Sequence, residues 1–358
     1  MTGRQAPRSL FGRCLEEGSR PLVVAELSAN HRHDLTTAIE SIRAAAECGA
    51  DAVKFQHFTP DALTVRGNHE DLRVAKGGLW SERHLFDLYE DAAMPWSWTE
   101  TLSRVADEVG IWWFSSPFDR EAVDFLVDQG TAALKIASFE LVDLPLIRHA
   151  ASTGLPLVMS TGMASVDEIS SAVEVARSEG NNEVVLLRCN SSYPALPDEL
   201  DLRAIPDMKY RWNLPVGLSD HTLSVTSSIV ATSLGACMIE KHFTLDRGLG
   251  GPDAAFSLEP TQLRQLVDFV FEAYSAMGSV RYGPSQSEIA SLKFRRSLRV
   301  LKEIEEGEIL TEENVGSRRP AGGLPPSELD SVLGKRATTP LVPGAPLLAS
   351  DFRSLQDE

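Results

Sequence analysis

Two histidines, each at the end of an apolar, strand-like run, are the residues in this sequence best suited to chemistry. His221 lies in 217–222, Gly-Leu-Ser-Asp-His-Thr, and His242 lies in 239–243, Ile-Glu-Lys-His-Phe. A carboxylate residue stands one or two positions before each of them. A single histidine at a strand end is more often a hydrogen-bonded structural residue, but two on consecutive strands can share one divalent metal ion. Such an ion would polarise a carbonyl group as a Lewis acid.

Most other apolar runs also end in polar side chains. They supply a lysine, carboxylates and hydroxyl groups, a set that suits a ligand with phosphate and carboxylate groups and also suits proton transfer. Lys54 stands between Val53 and Phe55, where an unpaired charge would be costly to bury. An ion pair with Glu26 is therefore the structural alternative to a catalytic role, and both can hold. The candidate strand-end residues are Glu26, Lys54, Gln56, Ser115, Ser116, Ser138, Glu140, Ser160, Thr161, Ser191, Tyr193, Ser219 and Glu240.

The elements that must position these groups alternate regularly between strand and helix. Eight strands followed by helices over most of the chain predict a (β/α)8 TIM barrel, whose active site lies where the strands end. A doubly wound open sheet would show the same alternation, but no GxGxxG motif follows the first strand, which weakens a dinucleotide-binding interpretation. The predicted strands are 22–26, 52–56, 111–114, 133–137, 156–160, 183–189, 215–219 and 237–242.

The pattern changes near residue 281. Short strand-like pieces, 297–301 and 337–341, alternate there with Gly and Pro turns, which predicts a small β-rich domain. Within the barrel, the long excursion 59–79 after the second strand is typical of a lid or a binding loop. The predicted organisation is a (β/α)8 barrel over 1–280, a linker over 281–296 and the small domain over 297–358.

Composition narrows the class of protein. The 358 residues include 51 acidic and 34 basic side chains, giving a formal charge of −17, which argues against nucleic acid or an anionic membrane as the main partner. The four cysteines show no CxxC spacing, and three lie in apolar segments, as free thiols often do. Residues 1–13 lack the apolar core of a signal peptide, and no apolar run has the length of a membrane helix. We expect a cytoplasmic protein without structural disulfides.

Several segments resemble the sialic acid synthase family. The likeness covers nearly the whole chain, and the motifs together are very specific. Residue Lys335 after Gly334 and the step from Arg319 to Pro320 resemble the family's C-terminal antifreeze-like domain, which has the SAF, or β-clip, fold. The barrel segments that carry the resemblance are 25–31 (Ala-Glu-Leu-Ser-Ala-Asn-His), 49–56, 160–163 (Ser-Thr-Gly-Met), 192–194 (Ser-Tyr-Pro), 217–222 and 240–243.

The resemblance implies a condensation of phosphoenolpyruvate with the open-chain aldehyde of an amino sugar. Water attacks the enol-pyruvyl carbon, phosphate leaves with C–O cleavage, and a nonulosonic acid results. Segments 25–31, 76–80, 115–118 and 136–140 are most similar to the branch of this family that makes pseudaminic acid. The enzyme alternatives are a synthase of N-acetylneuraminic or legionaminic acid and another phosphoenolpyruvate-dependent aldol-type synthase. The non-enzyme alternative is a sugar-binding or coat-assembly protein on the same fold.

The resemblance also implies a role for individual residues. His221 and His242 would bind one divalent ion per site, Mn²⁺ or Mg²⁺. Glu26 is expected to act on water or on metal-bound groups, and Glu140 to serve in acid–base work or to contact the sugar. Arg319 would come from the small domain of a second subunit and reach the sugar's amide, which implies a homodimer with swapped domains. The residues expected to hold phosphoenolpyruvate are Lys54, Lys135, Ser116, Ser138, Ser160 and Ser219, and those expected to contact sugar or phosphate are Gln56, Asn190, Ser191 and Tyr193.

One aromatic residue carries a further expectation about the sugar. Phe139 stands directly before Glu140 at a strand end, where a ring would favour an apolar end of the substrate over a hydroxylated one. The competing interpretation assigns this preference to Gln56 or to the excursion 59–79.

Overall fold

The computed structural model describes residues 9–15, 18–76 and 79–353. The chain forms two compact units, Met1–Gly278 and Ser279–Glu358. Gly77 and Gly78, in the middle of the sequence motif 76–80, lie outside the described residues, as do the first eight residues.

The first unit is a closed barrel of eight parallel strands, which confirms the predicted (β/α)8 fold. The strands follow one another around the barrel in chain order, and the last pairs with the first. Each predicted strand occurs with its ends shifted by only a few residues. The strands are β1 Leu22–Glu26, β2 Ala52–His57, β3 Trp112–Pro117, β4 Leu134–Ile136, β5 Leu157–Ser160, β6 Val184–Cys189, β7 Val216–Asp220 and β8 Met238–His242.

Because side chains alternate along the strands, the polar residues near the carboxyl ends of the strands point into the barrel. Successive residues of a strand point to opposite faces, so every second residue lines the interior. The inward residues nearer the amino ends of the strands form an apolar cluster that includes Val24, Ala52, Phe114, Val158, Leu187 and Met238. Two positions further along the same strands stand Glu26, Lys54, Ser116, Ser160, Cys189 and Glu240, all buried.

The helices pack their apolar stripes on the outside of the barrel, where they share a core with the outward residues of the strands. Two helices were not predicted: α8, whose residues Ile205, Met208 and Trp212 are buried, and the short α2. No helix among the described residues is both long enough and apolar enough to cross a membrane. The helices are α1 Leu35–Glu47, α2 Pro60–Leu63, α3 Leu85–Ala92, α4 Thr99–Val109, α5 Arg120–Asp128, α6 Leu144–Ser152, α7 Val166–Ser178, α8 Ala204–Trp212, α9 Thr226–Ser233 and α10 Pro260–Met277.

Contacts with residues near the chain start close the amino end of the barrel. Phe11 is buried and stacks on Trp112 with ring centroids 5.8 Å apart. Asp51 accepts hydrogen bonds from Arg13 Nη1 at 2.7 Å and from the backbone N–H of Val23 at 2.8 Å. This end of a TIM barrel serves stability, because the active site lies at the other end.

The second unit is a small β-rich domain with its own apolar core. Its strands β9 Ser297–Val300 and β10 Val315–Arg318 pair antiparallel, as do β11 Arg336–Ala337 and β12 Phe352–Arg353, and α11 spans Leu329–Val332. The predicted strand 337–341 is wrong beyond Ala337, since Leu341 makes only an isolated bridge with Ile304. Pro340 lacks the N–H that a continuing strand would use for pairing. Part of the predicted linker forms a 3₁₀ helix, Gln286–Phe294.

Candidate active site

A cavity of about 560 Å³ opens at the carboxyl ends of the barrel strands. Its volume is in the range typical of small-molecule sites. The cavity brings together most of the residues predicted from the sequence, contributed by loops and strand ends around the whole barrel. Those that line it are Lys54, Gln56, Lys135, Ser138, Glu140, Ser160, Ser191, Tyr193, Ser219, His221, Glu240 and His242.

A buried group of charges forms the floor of the cavity. Lys54 Nζ lies 3.0 Å from Glu26 Oε2 and 3.3 Å from Glu240 Oε1, and it donates to Ser116 Oγ at 3.3 Å. Glu26 does not line the cavity itself, but Gln56 Nε2 donates to its Oε1 at 2.8 Å. The predicted ion pair between Lys54 and Glu26 is present, and it belongs to a larger group that reaches the cavity surface.

The two carboxylates of this group are in different electrostatic situations. Burial raises the pKa of Glu26 to about 7, and the nearby charge of Glu240 adds to the rise against the opposing effect of Lys54. Burial would also raise the pKa of Glu240, but Lys135 and Lys54 outweigh it and lower that pKa. Glu240 is therefore the permanent anion of the floor, whereas Glu26 can gain or lose a proton near neutral pH.

Hydroxyl groups and a second ammonium group flank this floor. Lys135 Nζ lies 3.9 Å from Glu240 Oε1, and burial lowers the pKa of Lys135. Ser138 and Ser191 share a hydrogen bond of 2.8 Å between their Oγ atoms. Ser160 Oγ is buried and has no hydrogen-bond partner among the described residues. Two buried ammonium groups and free hydroxyl groups are what an anion with phosphate and carboxylate groups would need.

His221 is held so that one ring nitrogen is free. Its Nδ1 donates to the backbone carbonyl of Asn190 at 2.7 Å, so the neutral ring keeps a lone pair on Nε2 for a ligand. Burial would lower the pKa of His221, but Cys189 and the Asn190 carbonyl outweigh it and raise that pKa, so a metal ion would have to displace a proton from this ring. The ring of Tyr193 stacks beside it with centroids 4.3 Å apart. This geometry is the one that metal-binding histidines commonly show, with the second nitrogen tied to a backbone carbonyl.

His242 has a nitrogen without a partner. Its ring centroid lies 5.3 Å from that of His221, and its Nδ1 is buried without a hydrogen bond. The nearest carboxylate, Asp253 Oδ2, is 3.7 Å away from that nitrogen. Burial lowers the pKa of His242 well below its usual range, and the nearby His221 contributes to this. A neutral imidazole is the form that binds metal.

These two histidines fit an open metal site rather than a closed one. The described residues contain no group of three or more His, Cys, Asp or Glu side chains close enough to enclose an ion. An ion held by His221 and His242 would need further ligands from water or substrate. Open coordination positions are typical of catalytic metal sites.

One wall of the cavity is apolar, and it comes mostly from a single stretch of chain. Phe58 packs edge-on against Phe118 with centroids 5.2 Å apart. The Glu140 carboxyl faces the cavity with these groups, its Oε2 buried and without a hydrogen-bond partner, and burial raises its pKa to about 7. Phe139 lines the cavity but is 58% exposed. The apolar wall consists of Phe58, Leu63, Val74, Leu85, Leu88, Ala92, Phe118 and Phe139.

Four predicted residues have other surroundings. The Ser115 hydroxyl forms a hydrogen bond of 2.6 Å with His57 Nδ1, and the Thr161 hydroxyl donates to the carbonyl of Leu187 at 3.1 Å, so neither lines the cavity. The side chain of Asn190 donates to the backbone carbonyl of Glu199 at 3.2 Å and does not line the cavity, so this residue serves the site through its own carbonyl. Arg319 is exposed in the second unit, outside the cavity of the barrel.

Sequence reasoning missed several cavity residues that come from loops. Asp253 is partly buried beside His242 and accepts a hydrogen bond from the Ser28 hydroxyl. Trp80 donates from its indole N–H to the carbonyl of Pro252 at 2.9 Å and so covers the cavity from the β2–α3 excursion. Ser28 belonged to a motif that had been singled out, but nothing in the local sequence around Asp253 marks it as a partner of a histidine eleven residues earlier.

Comparison with known proteins agrees with this geometry. The model of the NeuB family matches residues 41–282. The chain belongs to the NeuB family. The model of the SAF domain matches residues 295–353, which confirms the predicted C-terminal fold of this NeuB family member.

Individual relatives are similar over nearly their whole length. A pseudaminic acid synthase from Campylobacter jejuni subsp. jejuni serotype O:23/36 (strain 81-176) is 41% identical over 92% of this chain and 96% of its own. An N,N'-diacetyllegionaminic acid synthase from Legionella pneumophila subsp. pneumophila is 35% identical over 91% and 93%. Among solved structures, N-acetylneuraminic acid synthetase from Leptospira borgpetersenii serovar Hardjo-bovis superposes with a TM-score of 0.69 at 30% identity, covering 77% of this chain and 91% of that one.

Proposed function

We propose that this NeuB family member is a pseudaminic acid synthase, a transferase that condenses phosphoenolpyruvate with 2,4-diacetamido-2,4,6-trideoxy-β-L-altropyranose in its open-chain aldehyde form. The products are pseudaminic acid and phosphate. The observation that carries the proposal is the buried group of Glu26, Lys54 and Glu240 beside two histidines with free nitrogens. The 41% identity to a pseudaminic acid synthase over 92% of the chain supports the choice of sugar.

Phosphoenolpyruvate would bind at the charged floor. Its phosphate and carboxylate groups suit the ammonium groups of Lys54 and Lys135 and the partnerless hydroxyl of Ser160. Ser138, Ser191 and Ser219 would add hydrogen bonds from the same side of the cavity. The enol carbon C3 then attacks the aldehyde carbon and forms the new C–C bond. The aldehyde oxygen takes up a proton to become a hydroxyl group, and the attacking water gives up one, so the two proton transfers balance.

We assign the attacking water to Glu26, whose carboxyl group lies behind Lys54 and Gln56 rather than on the cavity surface. Its pKa of about 7 allows its ionised form to accept a proton from water near neutral pH. The hydroxide equivalent adds to C2 of the former phosphoenolpyruvate. The resulting tetrahedral carbon expels phosphate by cleavage of its C–O bond and becomes the ketone of the product. Gln56, which donates to Glu26, fixes the orientation of that carboxyl group.

The divalent ion is part of the proposal. The rings of His221 and His242 would hold Mn²⁺ or Mg²⁺, one ion per site, with Nε2 as the coordinating nitrogen of His221. When bound, the ion supplies Lewis-acid polarisation of the aldehyde carbonyl. Tyr193, stacked on His221, would order the sugar beside it.

The sugar would lie with its aldehyde at the floor and its far end toward the cavity mouth. That end then meets the apolar wall, which suits the methyl group of a 6-deoxy sugar and the methyl groups of its two acetamido substituents. N-Acetylmannosamine would bring a hydroxymethyl group to the same wall, and leaving a hydroxyl there without a partner costs about 1–3 kcal/mol. The apolar wall therefore favours the diacetamido sugar over the substrate of neuraminate synthases.

The assembly we propose is a homodimer in which Arg319 of the small domain reaches the sugar amide in the partner's barrel. Exposed apolar residues in the loops after β4, β5, β6 and β7 give the cavity mouth a rim suited to being covered. These are Val142, Met163, Leu196 and Leu223. We also place the reaction in the cytoplasm, consistent with the free thiols of Cys48, Cys189 and Cys237.

A test of the reaction follows phosphate release from phosphoenolpyruvate labelled with ¹⁸O at the bridging position. A panel of amino sugars is offered, and the products are weighed by mass spectrometry. We expect turnover with the 6-deoxy diacetamido sugar and label in the phosphate. Turnover with only N-acetylmannosamine or only the legionaminic precursor would assign the chain to a sister synthase. Sugar binding without any phosphate release would favour the non-enzyme alternative.

A test of the assembly mixes an Arg319→Ala chain with a His221→Ala chain. Each variant alone is expected to be inactive, but a swapped heterodimer would contain one site in which both groups are intact. No recovery in verified heterodimers would show that Arg319 serves its own barrel or none.

A further inference from the structure

A second buried ion pair lies behind the cavity, on the outward face of the strands that lead to the two histidines. Lys241 Nζ is 2.9 Å from Asp220 Oδ2, and both side chains are fully buried (0% exposed). The two residues are register partners on β8 and β7, and each directly precedes one of the histidines. Because side chains alternate along β8, Lys241 points outward while Glu240 points into the barrel. The proposed reaction gives this pair no task.

The pair is completely satisfied. The three N–H groups of Lys241 reach Asp220, the backbone carbonyl of Thr222 at 2.7 Å and that of Ser224 at 2.9 Å. Besides Lys241, Asp220 accepts from the Thr222 N–H at 2.9 Å, the Thr222 hydroxyl at 2.8 Å and the Ser228 hydroxyl at 2.7 Å. Every donor of the ammonium group therefore has an acceptor, and the four donors around the carboxylate use its lone pairs.

These bonds enclose the backbone of His221. Asp220 and Thr222, its two chain neighbours, are tied to each other and to Lys241. The carbonyl of His221 accepts from the Ala195 N–H at 3.0 Å, and its ring Nδ1 donates to Asn190. The direction of the ring into the cavity thus depends on a main chain that is fixed on both sides.

We propose that Lys241 and Asp220 are positioning residues that hold the His221 ring with Nε2 directed into the cavity. The part of this inference that concerns metal binding rests on the divalent ion proposed above. A buried ion pair is seldom more stable than apolar residues of the same size, so its value here lies in the geometry it imposes. Residues that orient metal ligands from behind typically change metal affinity by about 10–100-fold when removed.

The first test measures Mn²⁺ binding to the full chain without substrates, by electron paramagnetic resonance. Thr222→Val keeps the side-chain shape but removes the hydroxyl that joins Asp220 and Lys241, and Lys241→Met removes the charge. We expect both to weaken Mn²⁺ binding by about 10–100-fold. Asp51→Asn is the control, since it weakens a partly buried ion pair at the opposite end of the barrel. It should lower Tm and leave Mn²⁺ affinity unchanged.

The second test needs no metal. In protein with ¹⁵N-labelled histidine, the nitrogen shifts of His221, assigned by comparison with His221→Gln, should report a single tautomer with the proton on Nδ1. Thr222→Val should produce a mixture of tautomers, whereas Asp51→Asn should not. If the wild type binds no Mn²⁺, the metal part of the proposed function fails and the tautomer alone decides the positioning role. Folded Thr222→Val protein with wild-type His221 shifts and wild-type Mn²⁺ behaviour would overturn the inference, even if Lys241→Met fails to fold.

Discussion

The two buried charge groups of the barrel lie on opposite faces of the same strand, and they differ in how well they are satisfied. On the outward face, Lys241 and Asp220 have a partner for each donor and acceptor. On the inward face, Glu240 Oε2 and His242 Nδ1 are buried without hydrogen bonds. Unsatisfied buried polar atoms cost stability, so the inward face of this strand, where they occur, is the one suited to a ligand.

Whether the buried polar atoms have hydrogen-bond partners distinguishes the structural ion pair from the functional one more clearly than their burial does. Both groups are almost completely withdrawn from water, and both contain a lysine beside a carboxylate. What distinguishes them is the set of bonds that a substrate could still make. From the largest expected effect to the smallest, the first and the third prediction compare a satisfied residue with an unsatisfied one, and the other two compare residues that do and do not take part in the proposed reaction or in the cavity wall.

The largest effect, a loss of kcat, is expected from replacing the buried histidine that faces the cavity, but not from replacing a buried histidine on the opposite face. His242→Ala should reduce kcat by about 100- to 1000-fold, because it removes a proposed metal ligand, and should leave Tm nearly unchanged. His57, whose nitrogens both have hydroxyl partners, provides the control. His57→Ala should keep most of the activity and cost about 1–3 kcal/mol of unfolding free energy. Near wild-type turnover by His242→Ala in chelated buffer would remove the metal role.

The second effect concerns pH. We expect kcat/KM to rise with pH up to about 7, because Glu26 must be ionised to accept a proton and its pKa is about 7. Its pKa in the folded state is above the value of 4.5 for an unperturbed glutamate, so its contribution to stability is present at low pH and is lost as pH rises through about 7. Glu26→Gln should abolish the rise in rate and reduce the loss of stability, part of which remains because Glu140 also has a pKa of about 7. Glu140→Gln should keep the rise in rate. A flat wild-type profile across this range would exclude Glu26 as the base.

A pair of Ser→Ala substitutions tests the stability side of the comparison. Ser228 donates to the buried carboxylate of Asp220 at 2.7 Å, and losing such a bond costs about 1.5–3 kcal/mol. Ser160 has no partner, so Ser160→Ala should be neutral or stabilising while it raises the KM for phosphoenolpyruvate. Chemical denaturation of both variants is the measurement. Equal destabilisation by the two substitutions would mean that the Ser160 hydroxyl has a hydrogen-bond partner in solution and is not free to bind phosphoenolpyruvate.

The smallest effect is expected at the apolar wall. Phe139→Gly should lower the preference for the 6-deoxy diacetamido sugar over N-acetylmannosamine by about fourfold to tenfold, the worth of one methyl contact. Val142→Gly is the control, since Val142 is equally exposed in the same turn but does not line the cavity. The ratio of kcat/KM values for the two sugars is the measurement. An unchanged ratio in Phe139→Gly would mean that the excursion after β2, rather than Phe139, determines the sugar preference.

Much of the barrel could be predicted because its strands are apolar on both faces and end in polar residues. Runs such as Val184–Cys189 leave little choice of element. Helix α8 could have been found as well, since Ile205, Met208 and Trp212 have helical spacing. In the small domain, strands of two residues, such as Arg336–Ala337, carry too little pattern to be delimited.

The site could be predicted only where it lies on strands. Lys54, His221 and His242 stand at strand ends, and parallel strands bring their carboxyl ends together. Asp253 and Trp80 lie in loops whose path depends on tertiary packing. Asn190 illustrates a different limit, because its side chain was predicted to act and its backbone carbonyl is what contacts His221.

Most of the apolar wall comes from one continuous stretch, residues 58–92, whereas the charged floor is assembled from strands around the barrel. The residues that select the sugar and the residues that form the new bond thus lie in separate parts of the sequence. A lineage of such enzymes can diversify its sugars by altering a single excursion, with insertions tolerated because loops of this kind are thermodynamically permissive. The strands cannot vary in that way, since one inserted residue in β8 would turn Lys241 into the barrel and Glu240 and His242 out of it.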